Sequence, residues 1–210
     1  MGIVYFGVLR NEKKRRGMIR PFQGMVPRIG QRVFVADSAL VMGDVHLGDD
    51  TSVWFNCVIR GDVNFIRIGA RANVQDMCCI HVTNGRWPAI LEDEVSLAHN
   101  VMLHGCTLRK GAMIGMSTTI MDGVDIGEGC LVAAGSLVKE GFQAPANTLV
   151  SGWPATVKGE LKPGQRELVA KIWTNYVRYK EAYFEDGWPI AEAPIIANPQ
   201  PGFAQGHAYP

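Results

Sequence analysis

An aliphatic residue returns at every sixth position along most of this chain, and that spacing decides what it can fold into. Ile29, Val35, Val41, Leu47, Val53 and Ile59 run in unbroken register. Ile68, Val74 and Ile80 follow after a three-residue insertion, then Leu91, Leu97 and Leu103, and Leu108, Ile114, Ile120, Ile126, Val132 and Val138 complete the series. Ile, Leu and Val make up 48 of 210 residues, so six consecutive matches arise by chance about once in several thousand trials. A helix cannot use this pattern, because six residues turn it by about 600° and scatter the apolar set around its surface. A coil with three short sides can: each sixth residue points inward, and each eighteenth stacks on the coil below at roughly 4.8 Å, the spacing of paired strands.

Glycine follows the aliphatic residue at Gly30, Gly48, Gly69, Gly115 and Gly127. The pattern resembles that of hexapeptide-repeat proteins and their left-handed parallel β-helix. The expected fold is therefore mainly β: a left-handed parallel β-helix of hexapeptide repeats over residues 20–160, with one narrow core and three flat outer faces. The period then changes. Leu168, Ile172, Tyr176, Val177, Tyr179 and Tyr183 fall mostly three and four apart after Pro163-Gly164, which predicts a C-terminal α-helix within 161–186, packed along the outside of the prism. Residues 187–210 carry five prolines in 24 positions and read as an extended tail. Residues 1–19 read as an N-terminal extension, with Met18 as an alternative start.

Charge and cysteine usage narrow the partners. A formal net charge of +1 removes the electrostatic case for nucleic acid or an acidic membrane surface, and no apolar run reaches the 18 or so residues of a membrane helix. Five cysteines, an odd number without a CxxC pair, predict reduced thiols and a cytoplasmic location. Cys78 and Cys79 point in opposite directions by alternation, so they cannot face one ion and are read as packing residues.

The repeat also fixes the mutual positions of three histidines. With the sides named A, B and C, Ile80 lies on A, Leu91 on B, Leu97 on C and Leu103 on A one coil further along. His81 and His104 each follow the inward residue of side A, so they are vertical neighbours about 5 Å apart, a spacing at which two imidazoles can grip one ion. His99 sits two residues after Leu97, around the corner on side C, and is badly placed to join them within one chain. If side A of one subunit meets the side C corner of another, the third nitrogen comes from the neighbour, and a ring of three closes the arrangement. Arg60 falls one coil below His81 and Asp76 one coil below His99, so opposite charges lie on the two surfaces, and an intersubunit Arg60–Asp76 pair would set the register. Gln75 and Asp62 are close enough to support the site. Arg60, Asp62 and Asp76 also have a purely structural reading as ion pairs, whereas Gln75 leans towards function. His46 and His207 read as solvated surface residues.

The segments I59-R60-G61-D62, N73-V74-Q75-D76, I80-H81 and A98-H99-N100-V101-M102-L103-H104-G105-C106 resemble the γ-class carbonic anhydrase family and its bacterial relatives, over residues 20 to 186. The resemblance implies a homotrimer with Zn²⁺, or alternatively Fe²⁺ or Co²⁺, held between subunits by His81 and His104 of one chain and His99 of the next. Gln75 and Asp62 would then hydrogen-bond around the bound water, with Arg60 and Asp76 completing the catalytic set. The reaction implied is reversible hydration of carbon dioxide to bicarbonate by a metal-activated hydroxide. Val63 stands where the most active members have a glutamate, and Val82 to Ala89 contains no acid, so no proton shuttle is evident and slow turnover is expected. The alternatives are a metal-dependent acyl-CoA thioesterase, a hexapeptide acyltransferase and a non-catalytic scaffold subunit.

Overall fold

The computed structural model describes residues 17–197 and 199–202; the expectations for residues 1–16, for His207 and for the end of the tail lie outside them. The chain winds into a parallel β-solenoid of about seven turns with a single C-terminal helix. Face C is an eight-stranded sheet, while faces A and B belong to one twelve-stranded sheet. They are continuous because Leu40–Leu47 and Val58–Ile68 run through the corner without a break. Val58–Ile68 pairs Ile59 with Ile80 on face A and Ile68 with Leu91 on face B. The three-residue insertion before Ile68 is what lengthens this strand and carries Arg60, Gly61 and Asp62 across the edge.

The sixfold series is the core. Val41, Leu47, Val53, Ile59, Val74, Ile80, Leu97, Leu103, Leu108, Ile114, Ile120, Ile126, Val132 and Val138 are all 0% exposed. Register stacks like on like, Ile80 beneath Leu103 beneath Ile120, so each coil buries its apolar residues within itself and against the coils above and below. The glycines of the motif answer to this closeness: a Cβ on Gly48 would lie 2.6 Å from the backbone of Gly69 and Ala70 in the next coil.

Both ends of the stack are covered. The hairpin Thr148–Gly152 and Ala155–Glu160 closes the last coil of face C with antiparallel pairing. At the other end the extended tail returns: Ala191 N–H donates to the Val33 carbonyl, and Gln200 N–H donates to the Gly24 carbonyl.

The helix spans Pro163–Glu185. Proline at its first turn costs nothing there, and the Gln165 side chain accepts from the Lys162 N–H at 2.8 Å. Its buried stripe is shifted from the expected one. Leu168 and Tyr179 are exposed, while Val169 and Lys180 are buried and Tyr176, Tyr183 and Phe184 pack on the core. The reason is what the solenoid offers: the rings of Phe34 and Trp54 meet Tyr183 at centroid distances of 5.2 Å each, and Asp50 meets Lys180. Lys180 is 0% exposed, with Nζ 2.8 Å from Asp50 Oδ1 and 2.5 Å from Glu181 Oε1; Glu181 also pairs with Arg32.

Lys180→Ala is expected to destabilise the chain by about 2–3 kcal/mol in chemical denaturation, below the usual cost of breaking a buried pair because both carboxylates remain partly solvated. Burial works against ionisation of Glu181, but Lys180 and Arg32 outweigh it and hold its carboxyl below the usual range. A depressed carboxylate stabilises above its unfolded pKa and loses that contribution as pH falls through the folded value, so the substitution should also flatten the acid limb of the stability profile.

Candidate metal centre

Face A carries Cys79–His81 directly beside Met102–His104, with His104 opposite His81. The imidazole centroids are 5.1 Å apart, and His81 Nδ1 faces His104 Nε2 at 3.1 Å. Each outer nitrogen meets a carboxylate: His81 Nε2 lies 3.0 Å from Asp62 Oδ1, and His104 Nδ1 lies 2.8 Å from Asp122 Oδ1. Arg60 pairs with the other Asp62 oxygen. Burial opposes ionisation of Asp62, but the hydrogen bonds from His81 and Arg60 prevail and hold it below the ordinary carboxylate range. Burial, countered by Asp62, holds His81 below the ordinary histidine range.

The chemistry of this donor set fits a cation. Facing carboxylate oxygens, both outer nitrogens are placed to donate. The inner nitrogens then face each other across a gap that needs one positive species, a shared proton or a metal ion. Burial of His81 weakens its hold on the proton. The separation of 3.1 Å is close to that of two imidazole nitrogens on one ion with bonds of about 2.0–2.1 Å.

The other sequence-selected residues gather elsewhere. His99 is on the side C corner, its Nδ1 2.8 Å from Asp76 Oδ2 in the coil below. Within the chain, then, Arg60 finds Asp62 and Asp76 finds His99. Gln75 is buried on face C, where its amide donates to Asn73 Oδ1 at 3.0 Å and Asn73 in turn donates to Ser96; it accompanies the His99 corner, not the His81–His104 pair. Among the described residues, no three His, Cys, Asp or Glu side chains converge on one point. Cys78 is buried and donates to the Ala98 carbonyl, and Cys79 is half-buried on the outer side.

Sequence reasoning missed Asp122. The signal was present, since it stands eighteen residues after His104, one coil's length. The count that sets Asp76 under His99 runs one coil back along the chain, and the same count run one coil forward from His104 reaches Asp122.

A parallel coil of about seven turns built on a six-residue period defines a hexapeptide-repeat protein, and a family model described as bacterial transferase hexapeptide (six repeats) matches residues 105–140. Beyond that class, the chain is 43% identical over 166 residues to a carbonic anhydrase of Geobacillus kaustophilus, covering 79% of this chain and 91% of that one. It is 36% identical over 162 residues to the mitochondrial gamma carbonic anhydrase 1 of Arabidopsis thaliana, covering 75% of this chain but only 59% of that longer protein. The solved structure of the BC4754 gene product of Bacillus cereus superposes with a TM-score of 0.78 at 45% identity, covering 80% of this chain and 97% of the other. The chain belongs to the γ-carbonic anhydrase family.

Proposed function

We infer that the protein is a γ-type carbonic anhydrase that works as a homotrimer, with His81 and His104 of one chain and His99 of the next holding a Zn²⁺ ion, Fe²⁺ or Co²⁺ being the alternatives. The observation that carries this reading is the facing imidazole pair flanked by two carboxylates, with the third histidine on the other edge of the prism. A divalent ion on three imidazoles brings the pKa of water from 15.7 to about 7 and so supplies a hydroxide-strength nucleophile for carbon dioxide at neutral pH. Around it, ionised Asp62 accepts hydrogen bonds beside His81 and keeps that ring in place. Gln75 and Asp76 arrive with His99 from the neighbouring corner. Arg60, whose side chain is 41% exposed, offers a guanidinium both to Asp76 of the adjoining subunit and to the bicarbonate product.

Stopped-flow hydration of carbon dioxide by metal-loaded protein, run beside a panel of acyl-CoA thioesters, tests the reaction. Hydration well above background without thioester cleavage is expected; thioester cleavage alone would overturn the assignment. Light scattering at micromolar concentration should give three times the 23.0 kDa chain mass, and a monomer would overturn the shared site.

Proton removal should limit turnover. Val63 packs against the core, and the loop after His81 brings no acid of its own. Raising imidazole buffer tenfold is therefore expected to increase the hydration rate at constant pH and ionic strength. A rate indifferent to buffer would place a shuttle elsewhere in the trimer.

A further inference from the structure

The loop that follows His81 supplies no acid, yet it is tied to the site at its most consequential point. Asp122 divides its two oxygens: Oδ1 takes His104 Nδ1 at 2.8 Å, and Oδ2 accepts from the Thr83 hydroxyl at 2.9 Å. Thr83 is itself anchored twice. Its carbonyl accepts from the Asn64 amide at 3.0 Å, and its N–H donates to the Trp87 carbonyl at 3.0 Å, closing the loop on itself. Trp87 lies against Gly105 and Gly123. Gly105 has φ +48°, and a Cβ there would overlap the Asp122 carboxylate and crowd Trp87 Cβ at 2.6 Å; a Cβ on Gly123 would stand 3.1 Å from the indole ring. Two side-chain-free positions thus make room for the indole and for the carboxylate at once.

We propose that Asp122 and Thr83 are positioning residues that fix His104 as its Nδ1–H tautomer and so present Nε2 to the metal, the 83–87 loop serving as their clamp. Asp122 has no comparable tie to His81, whose outer nitrogen is held by Asp62. A carboxylate free to rotate would satisfy His104 through either oxygen and leave the ring's tilt undefined. The Thr83 hydroxyl removes that freedom, and a ligand whose far nitrogen is so held binds its ion more tightly. The proposal rests on reading His104 as a metal ligand, and its test separates the clamp from that reading.

In metal-free protein labelled with ¹⁵N-histidine, nuclear magnetic resonance reports the tautomer of His104 without reference to metal or activity. At a pH high enough to remove the proton shared with His81, the wild type is expected to show a single Nδ1–H form. Asp122→Ala should release it to a mixture, and Thr83→Val should do so in part, with Thr83→Ser restoring the wild-type pattern. Zinc affinity by chelator competition should fall 10–100-fold for Asp122→Ala and by less for Thr83→Val. An unchanged tautomer in both variants would overturn the clamp, whatever the metal does. A released tautomer with wild-type zinc affinity would overturn its role towards the metal. Failure of wild-type protein to bind zinc, with the tautomer still responding to Asp122→Ala, would strike down the functional reading and leave the clamp standing. Thr83→Val and Thr83→Ser lie on the surface side of the carboxylate, so they keep the test open if Asp122→Ala does not fold.

Discussion

His81→Ala and His99→Ala trimers are each expected to purify without metal, and a mixture of the two, unfolded and reassembled together, is expected to regain some. In either homogeneous trimer every interface lacks one of its three nitrogens and is left with a weak two-ligand site. In a mixed trimer, a His99→Ala chain still contributes His81 and His104, and a His81→Ala chain still contributes His99. The interface joining those two faces is whole, and a three-membered ring with both chain types contains one such interface. Recovery is therefore capped at one ion per mixed trimer, with activity in proportion. The prediction follows from the separation of the histidines: His81 and His104 share face A, while His99 is paired with Asp76 at another corner. Zinc analysis of mixed trimers purified by two different tags provides the check. No recovery in verified mixtures would show that the sites are built within one chain.

Leu103→Ala should destabilise the protein by about 2–5 kcal/mol, the range for truncating a fully buried leucine. Leu103 is 0% exposed and stacked between Ile80 and Ile120. In a solenoid the loss is confined to one coil and its two neighbours, since no distant residue can collapse into the gap. That places the cavity directly behind His104. Chemical denaturation of metal-free protein would give the stability term, and zinc affinity would show how far a soft coil loosens the pair in front of it. A loss below about 1 kcal/mol would mean that the coil relaxes to fill the space.

The vertical relations were legible because a strict repeat converts sequence distance into position. Counting coils puts His104 on His81, Asp76 under His99 and Leu103 between Ile80 and Ile120, all of which the register reproduces. Lateral choices were not legible. Arg60 could be counted to its place below His81, but whether its guanidinium turns to Asp62 in its own chain depends on rotamers that no spacing encodes. Gln75 follows Val74 on face C, so within the chain its amide meets Asn73, which in turn donates to Ser96, and spacing alone does not show what it faces across a subunit boundary. The helix stripe slipped for a related reason. Hydrophobicity alone favours Leu168 and Tyr179 over Lys180, yet an acid waiting at Asp50 makes the lysine the better buried residue.

The covered ends of the coil stack bear on what the molecule can become. A parallel sheet that stops abruptly offers its last row of N–H and C=O groups to any passing strand, and a stack of identical coils would be an efficient template for fibres. Here one end of face C is finished by antiparallel pairing in the Thr148–Gly152 and Ala155–Glu160 hairpin, and the tail lies against Val33 and Gly24 at the other. The final strands of faces A and B, Leu137–Val138 and Gln143–Ala144, are two residues each. Growth along the axis is thereby discouraged, and the surfaces left for self-association are the flanks. Sideways packing of prisms closes when the rotation between neighbours completes a circle, as in the proposed trimer, and capping the axis leaves that route open while blocking growth of the stack.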